Sequence, residues 1–203
     1  MQTITTLTAL EALYGTAAGA SISKEVPALT PAYRAWIEAA PFFAIATAGP
    51  GGLDCSPRGD PAGHLIHVGD ERTVLIPDRR GNNRLDTLRN IIADPRVALL
   101  FLVPGVNECL RINGRAAITD DEAMRRRFAS AGKLPATVIV VSIDRVYFQC
   151  ARALLRASLW QPREPDAAGT VPTAGQMLDA AVAGFDGAAY DAGLAERQAA
   201  TLY

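Results

Sequence analysis

Ile76-Pro77-Asp78-Arg79-Arg80-Gly81-Asn82-Asn83-Arg84-Leu85-Asp86-Thr87-Leu88-Arg89-Asn90-Ile91-Ile92-Ala93-Asp94-Pro95 decides how this chain is read. Thr73 to Ile76 is a short β-rich run, Pro77 to Asn82 carries the breakers, and Leu85, Leu88, Ile91 and Ile92 recur at helical spacing. The order is therefore strand, turn, helix, with Asn82 or Asn83 placed to cap the helix. At about 100° per residue the apolar four share one face, and Asn83, Thr87 and Asn90 form a polar, uncharged strip beside it. Such side chains suit directed hydrogen bonds better than plain solvation. Arg84 falls in the first helical turn, where a cation opposes the helix dipole unless an anion lies there as well. Arg79, Arg80 and Arg84 around Gly81-Asn82-Asn83 thus read as an anion site, and a phosphate would reconcile these features. The competing reading is a β-to-α connection with capping asparagines and solvated arginines. Arg79, in the turn before the cap, is expected to meet mainly solvent.

The run Ile76-Pro77-Asp78, then Gly81 to Ile91, then Asp94-Pro95-Arg96-Val97 and a hydrophobic strand resembles the pyridoxamine 5'-phosphate oxidase-like FMN-binding split-barrel proteins. Within them it is most similar to a branch of FMN-dependent enzymes whose substrate is unassigned. The resemblance runs from about residue 41 to residue 160. It implies a β-dominated α+β fold, an FMN-binding split β-barrel with peripheral helices, and a homodimer with FMN held between subunits. It also implies an oxidoreductase acting on a small molecule. Taken together, the reading of the residues and the resemblance give as expected cofactor contacts Ser56, Arg58, Ile76, Asn82, Asn83, Arg84, Thr87, Asn90, Arg111 and Arg152. One departure matters: Gln149 and Arg152 stand where that branch commonly has His and Lys. Loss of the imidazole removes a group able to move protons near neutral pH. No catalytic side chain is assigned.

At 203 residues with a formal charge of −1, the chain is one domain of ample size without the basic footprint of a nucleic-acid binder. Cys55, Cys109 and Cys150 are widely spaced and lack a Cys-x-x-Cys pair, which fits a reducing compartment. His64 and His67 have no accompanying ligand cluster, so no metal is expected. No apolar run approaches about 18 residues and no signal-like amino terminus is present, so a cytoplasmic protein off the membrane is expected.

Residues 1–40 read as a helical arm, 41–160 as the split-barrel domain, and 161–203 as a linker and helical tail packing on the same domain. In the arm, Thr30-Pro31 opens a helix whose face carries Tyr33, Trp36 and Ile37. Phe42 to Thr47 and Leu53 to Ser56 read as a hairpin, and His64 to Val68 with Thr73 to Ile76 as a second. Pro57 to Gly63 is expected to be loop. On residues alone, Ser56-Pro57-Arg58-Gly59-Asp60 is either a site for phosphate or polar flavin edges, or an Arg58–Asp60 surface turn. Val97 to Val103 is apolar on both faces and is expected to be a central strand covered on both sides. In the next strand Cys109, Arg111, Asn113 and Arg115 face one way, Arg111 reaching the flavin, the dimer seam or solvent. Thr119-Asp120-Asp121-Glu122 reads as a capping box, and Arg125 to Arg127 as a solvated or dimer-facing stretch. Thr137 to Phe148 is the last long strand, followed by a helix from Cys150 to Trp160. There Arg152 and Arg156 share one face and Leu155 and Leu159 another. The basic face meets an anionic substrate, the partner's flavin, or only solvent. Pro162 to Pro172 is the linker, and the tail beyond is helical in two pieces broken at Gly184 to Gly187.

No Gly-x-Gly-x-x-Gly follows a strand and no Gly-x-Ser-x-Gly occurs, which disfavours a Rossmann domain and a nucleophile elbow. Besides the FMN oxidoreductase, the sequence leaves open a protein that binds flavin or haem without turnover, or a deazaflavin reductase on the same fold.

Overall fold

The computed structural model describes residues 1–17, 19–162 and 171–202. Its centre is an antiparallel sheet of seven strands: β1 (Phe42–Gly49), β2 (Gly52–Gly59), β3 (His67–Asp70), β4 (Thr73–Pro77), β5 (Arg96–Leu102), β6 (Cys109–Thr119) and β7 (Val138–Gln149). The order across the sheet is β2-β1-β5-β6-β7-β4-β3. Alternation along the strands sends one set of side chains to a common interior: Phe43 and Ile45, Leu99 and Phe101, Leu110 and Ile112, Val141, Val74 and Ile76. Residues of β1 and β4 share this core although three strands lie between them, so the sheet is curled around it. The Phe43 and Phe101 rings sit 4.9 Å apart at its centre. The curled sheet does not close by strand pairing; side chains bridge the gap between the ends of β2 and β4. This is the β-dominated, split-barrel architecture expected from the sequence.

Three helices precede the sheet: α1 (Leu7–Tyr14), α2 (Gly19–Ser23) and α3 (Pro31–Ala39). Thr30 caps α3 by accepting from the Tyr33 N–H at 3.2 Å, and Ile37 is fully buried against the barrel. α1 buries none of its residues. The connection from β4 to β5 is α4 (Asp86–Ala93), that from β6 to β7 holds α5 (Glu122–Arg126), and α6 (Arg152–Arg156) follows β7. The tail forms α7 (Ala174–Ala181), α8 (Gly187–Ala192) and α9 (Leu194–Thr201), three pieces where two are expected, because Gly193 adds a second break. Most of the expected linker, residues 163–170, lies outside the described residues. Among the described residues no helix is long and apolar enough to cross a membrane.

Several elements depart from expectation for identifiable reasons. Pro57, Arg58 and Gly59 lie in β2 rather than in a loop. β2 is the edge of the sheet, where a proline lacking its N–H is tolerated. β5 buries Val97, Leu99 and Phe101 but leaves Leu100 37 % exposed, so only one of its faces is covered within this chain. The α5 cap is Asp121, which accepts from the Met124 N–H at 2.9 Å, because Thr119 is held in the sheet opposite Val138. Arg125 is not solvated: its Nε donates to the Pro135 carbonyl at 2.7 Å.

Candidate functional site

Asn83 and Leu85 both have positive φ, 60° and 61°. Asparagine tolerates this region, whereas a leucine there is strained. Two left-handed residues flanking Arg84 prevent a helical start at Asn82 or Asn83, and α4 begins only at Asp86 with no side-chain cap. Asn82 instead closes the turn by accepting from the Arg84 N–H at 3.1 Å. Arg84 therefore precedes the helix, 74 % exposed, with its Nε donating to Asp86 at 2.8 Å.

The helical polar strip faces the sheet more than it faces solvent. Thr87 is buried, its hydroxyl 3.5 Å from the Asp54 carboxylate, to which Ser56 also donates at 3.0 Å. Asn90 donates to the Thr47 hydroxyl at 3.1 Å. That contact needs Gly49, since a Cβ there would lie 2.0 Å from the Asn90 Oδ1. Thr87 and Asn90 thus anchor α4 across β1 and β2.

Between the ends of β2 and β4, the turn before α4 and the loop ahead of β7 lies a cleft of about 1050 Å³. Ser56, Arg58, Ile76, Asn82, Asn83, Arg84 and Thr87 all line it. Asn90, Arg111 and Arg152 do not. Arg111 lies on the outer face of the sheet, its guanidinium 5.3 Å from the Tyr147 ring centroid, and Arg152 is exposed on α6. Leu65, Ile76 and Leu88 give the cleft an apolar wall; Arg58, Arg79, Arg80, Arg84 and Lys133 make its charge predominantly basic despite Asp60, Asp78 and Asp86.

Two ion pairs cross the split. Arg79 Nε donates to the Asp60 carboxylate at 2.7 Å and Arg79 Nη1 to the Phe128 carbonyl at 2.6 Å. The Asp60 side chain is 3 % exposed and that of Arg79 22 %, so Arg79 is a clamp and not the solvated residue expected from the sequence. The second pair, Arg58 Nη2 and Asp78 Oδ1, stands 3.9 Å apart, too far for a hydrogen bond. Burial pushes the Asp78 carboxyl above its ordinary value of 3.8, opposed by the Arg58 guanidinium. Asp78 and the Asp60–Arg79 clamp gain their roles only in three dimensions. The available hint was an acid placed directly after the strand-ending proline and ahead of two arginines.

The sequence model of the pyridoxamine 5'-phosphate oxidase family matches residues 29–150. No curated protein matches the chain. Among solved structures, a variant of HupZ from Group A Streptococcus is similar at 17% identity and a TM-score of 0.50, covering 59% of this chain and 98% of its own. A candidate pyridoxamine 5'-phosphate oxidase from Lactobacillus delbrueckii aligns at 18% identity and TM-score 0.47, covering 60% and 95%. An F420 reductase aligns at 18% identity and TM-score 0.42, covering 60% and 98%. At 17% identity the likeness to HupZ speaks for the fold.

Proposed function

From the premise that this chain belongs to the pyridoxamine 5'-phosphate oxidase family, we propose that it is an FMN-dependent oxidoreductase acting on a small molecule. The observation that carries the reading is the cleft itself, in which an apolar wall meets a turn rich in arginine and asparagine. That combination fits an amphipathic cofactor with a flat ring at one end and a phosphate at the other. The volume, about 1050 Å³, leaves room for a substrate beside it. Bound FMN would supply the electron transfer, so the protein's task is positioning, electrostatics and exclusion of water.

In this reading Asn82, Asn83 and Arg84 hold the terminal phosphate, with the guanidinium turning from Asp86 to the stronger anion. Ser56, Arg58, Ile76 and Thr87 line the ring portion. Asn90 acts at one remove, by fixing the helix. The working unit is a homodimer in the cytoplasm. Its seam is the uncovered face of the sheet, where Ala44, Leu100, Arg111 and Tyr147 stand side by side across four strands. Arg111 on that face and Arg152 on α6 then complete the partner's pocket. The test is the absorbance spectrum of the purified protein reconstituted with FMN, before and after a nicotinamide donor or dithionite. Perturbed flavin bands that bleach on reduction are expected; a spectrum identical to free FMN contradicts the proposal.

A further inference from the structure

Asp78 is anchored by its own backbone N–H, which donates to the Thr137 carbonyl at 3.0 Å. Its side chain is 19 % exposed and lines the cleft, yet among the described residues its carboxylate accepts no hydrogen bond. A half-desolvated carboxylate without a donor is costly, and burial has raised its pKa accordingly. Across the split Arg58 spends one N–H on the Pro57 carbonyl at 3.1 Å and aims another nitrogen toward Asp78 without reaching it. Arginine has five donors, so most of that capacity is unspent. The couple is thus an acceptor and a donor standing side by side, each incompletely satisfied. Close by, the Thr137 hydroxyl is buried and has no hydrogen-bond partner among the described residues, a further polar group on this wall able to meet a ligand.

A ligand edge complementary to such a couple presents an N–H donor next to a carbonyl acceptor. We propose that Arg58 and Asp78 form an imide-reading couple that recognises the pyrimidine edge of the flavin ring, Asp78 accepting from its N3–H and Arg58 donating to the adjacent carbonyl. This rests on the FMN reading above and deepens it, because it assigns the ring end of the cofactor to two residues of the split. It also separates flavin and deazaflavin, which share that edge, from haem, which lacks it. A substrate with an amide or imide group carries the same chemistry, so the test is run without substrate.

The experiment titrates apoprotein with FMN, 3-methyl-FMN and riboflavin, following flavin fluorescence, for the wild type, Asp78→Ala and Asp78→Asn. Circular dichroism checks that each variant is folded, and Asp78→Asn serves if Asp78→Ala is not. The wild type is expected to prefer FMN over 3-methyl-FMN by about tenfold or more, the scale of one hydrogen bond to a charged group. Asp78→Ala should collapse that preference and leave the preference for FMN over riboflavin in place; Asp78→Asn should reduce it in part, through its remaining acceptor oxygen. Equal wild-type affinity for FMN and 3-methyl-FMN, or an undiminished preference in both variants, overturns the proposal. Loss of only the FMN-over-riboflavin preference in the wild type would instead discard the phosphate wall and leave the imide couple standing. No flavin bound by the wild type discards both.

Discussion

The two halves of the turn from Pro77 to Arg84 use the same residue type for opposite ends. In the first half Arg79 is drawn inward, bonded to Asp60 and to the Phe128 carbonyl, and it holds β2, β4 and the end of α5 together. In the second half Arg84 stands in the open, paired among the described residues with a neighbouring carboxylate two residues away. One arginine is spent on the fold and the other is available to a ligand. An arginine's role is decided by which partners the topology delivers. Asp60 lies 19 residues away in the chain, and no local rule finds it.

The largest effect should come from breaking the clamp. Arg79→Ala removes the bond to the largely buried Asp60 carboxylate and the bond to the Phe128 carbonyl, two hydrogen bonds from a charged group together worth about 3 kcal/mol, readable as a lowered denaturant midpoint. If Arg79→Ala is as stable as the wild type, the division of labour between the two halves is wrong. Arg84→Ala should do the reverse. FMN binding weakens by about tenfold to a hundredfold, the usual range for a charge-assisted contact, while the unfolding midpoint stays put. Lysine at 84 should recover only part, since an ammonium cannot reproduce a bidentate fork.

The comparison also depends on what covers the open side. Leu100→Asp places a charge on the uncovered sheet face without touching the Arg79 clamp. It should shift the protein to monomer in light scattering and weaken FMN in parallel. A variant that is monomeric yet binds FMN as tightly as the wild type would remove the partner from the cofactor site.

The smallest effect concerns Asp78 in the cofactor-free protein. Its folded-state pKa is raised above the ordinary 3.8, so the ionised form is a cost that is complete above the folded value and relieved as pH falls through it. Asp78→Asn should therefore raise the melting temperature at neutral pH, by at most about 3 °C, and the gain should vanish below the ordinary carboxylate value. A gain that persists unchanged in acid would assign it to something other than desolvation.

Much of the fold is legible in the sequence because it rests on local pattern. The alternation in β6, the capped start of α3 at Thr30-Pro31 and the strand–turn–helix order around Gly81 each follow from spacing within a dozen residues. What is not legible depends on distant partners. Pro57 suggests a loop until β2 is known to be an edge, and Thr119 suggests a cap until Val138 pairs with it. At the site, seven of the ten candidate contact residues line one cleft, five brought there by the compactness of the turn-and-helix motif and Ser56 and Arg58 by β2. Asn90 is turned toward Thr47 beside Gly49, and Arg111 and Arg152 sit on outer surfaces away from the cleft. Periodicity cannot display either circumstance.

The central claim, that the open half of the turn holds a phosphate, is tested most directly by parallel titrations of the wild type and Arg84→Ala with FMN and riboflavin. The wild type should bind FMN more tightly than riboflavin by about tenfold or more, and Arg84→Ala should reduce that difference without changing riboflavin affinity. Equal wild-type affinities for FMN and riboflavin would contradict it.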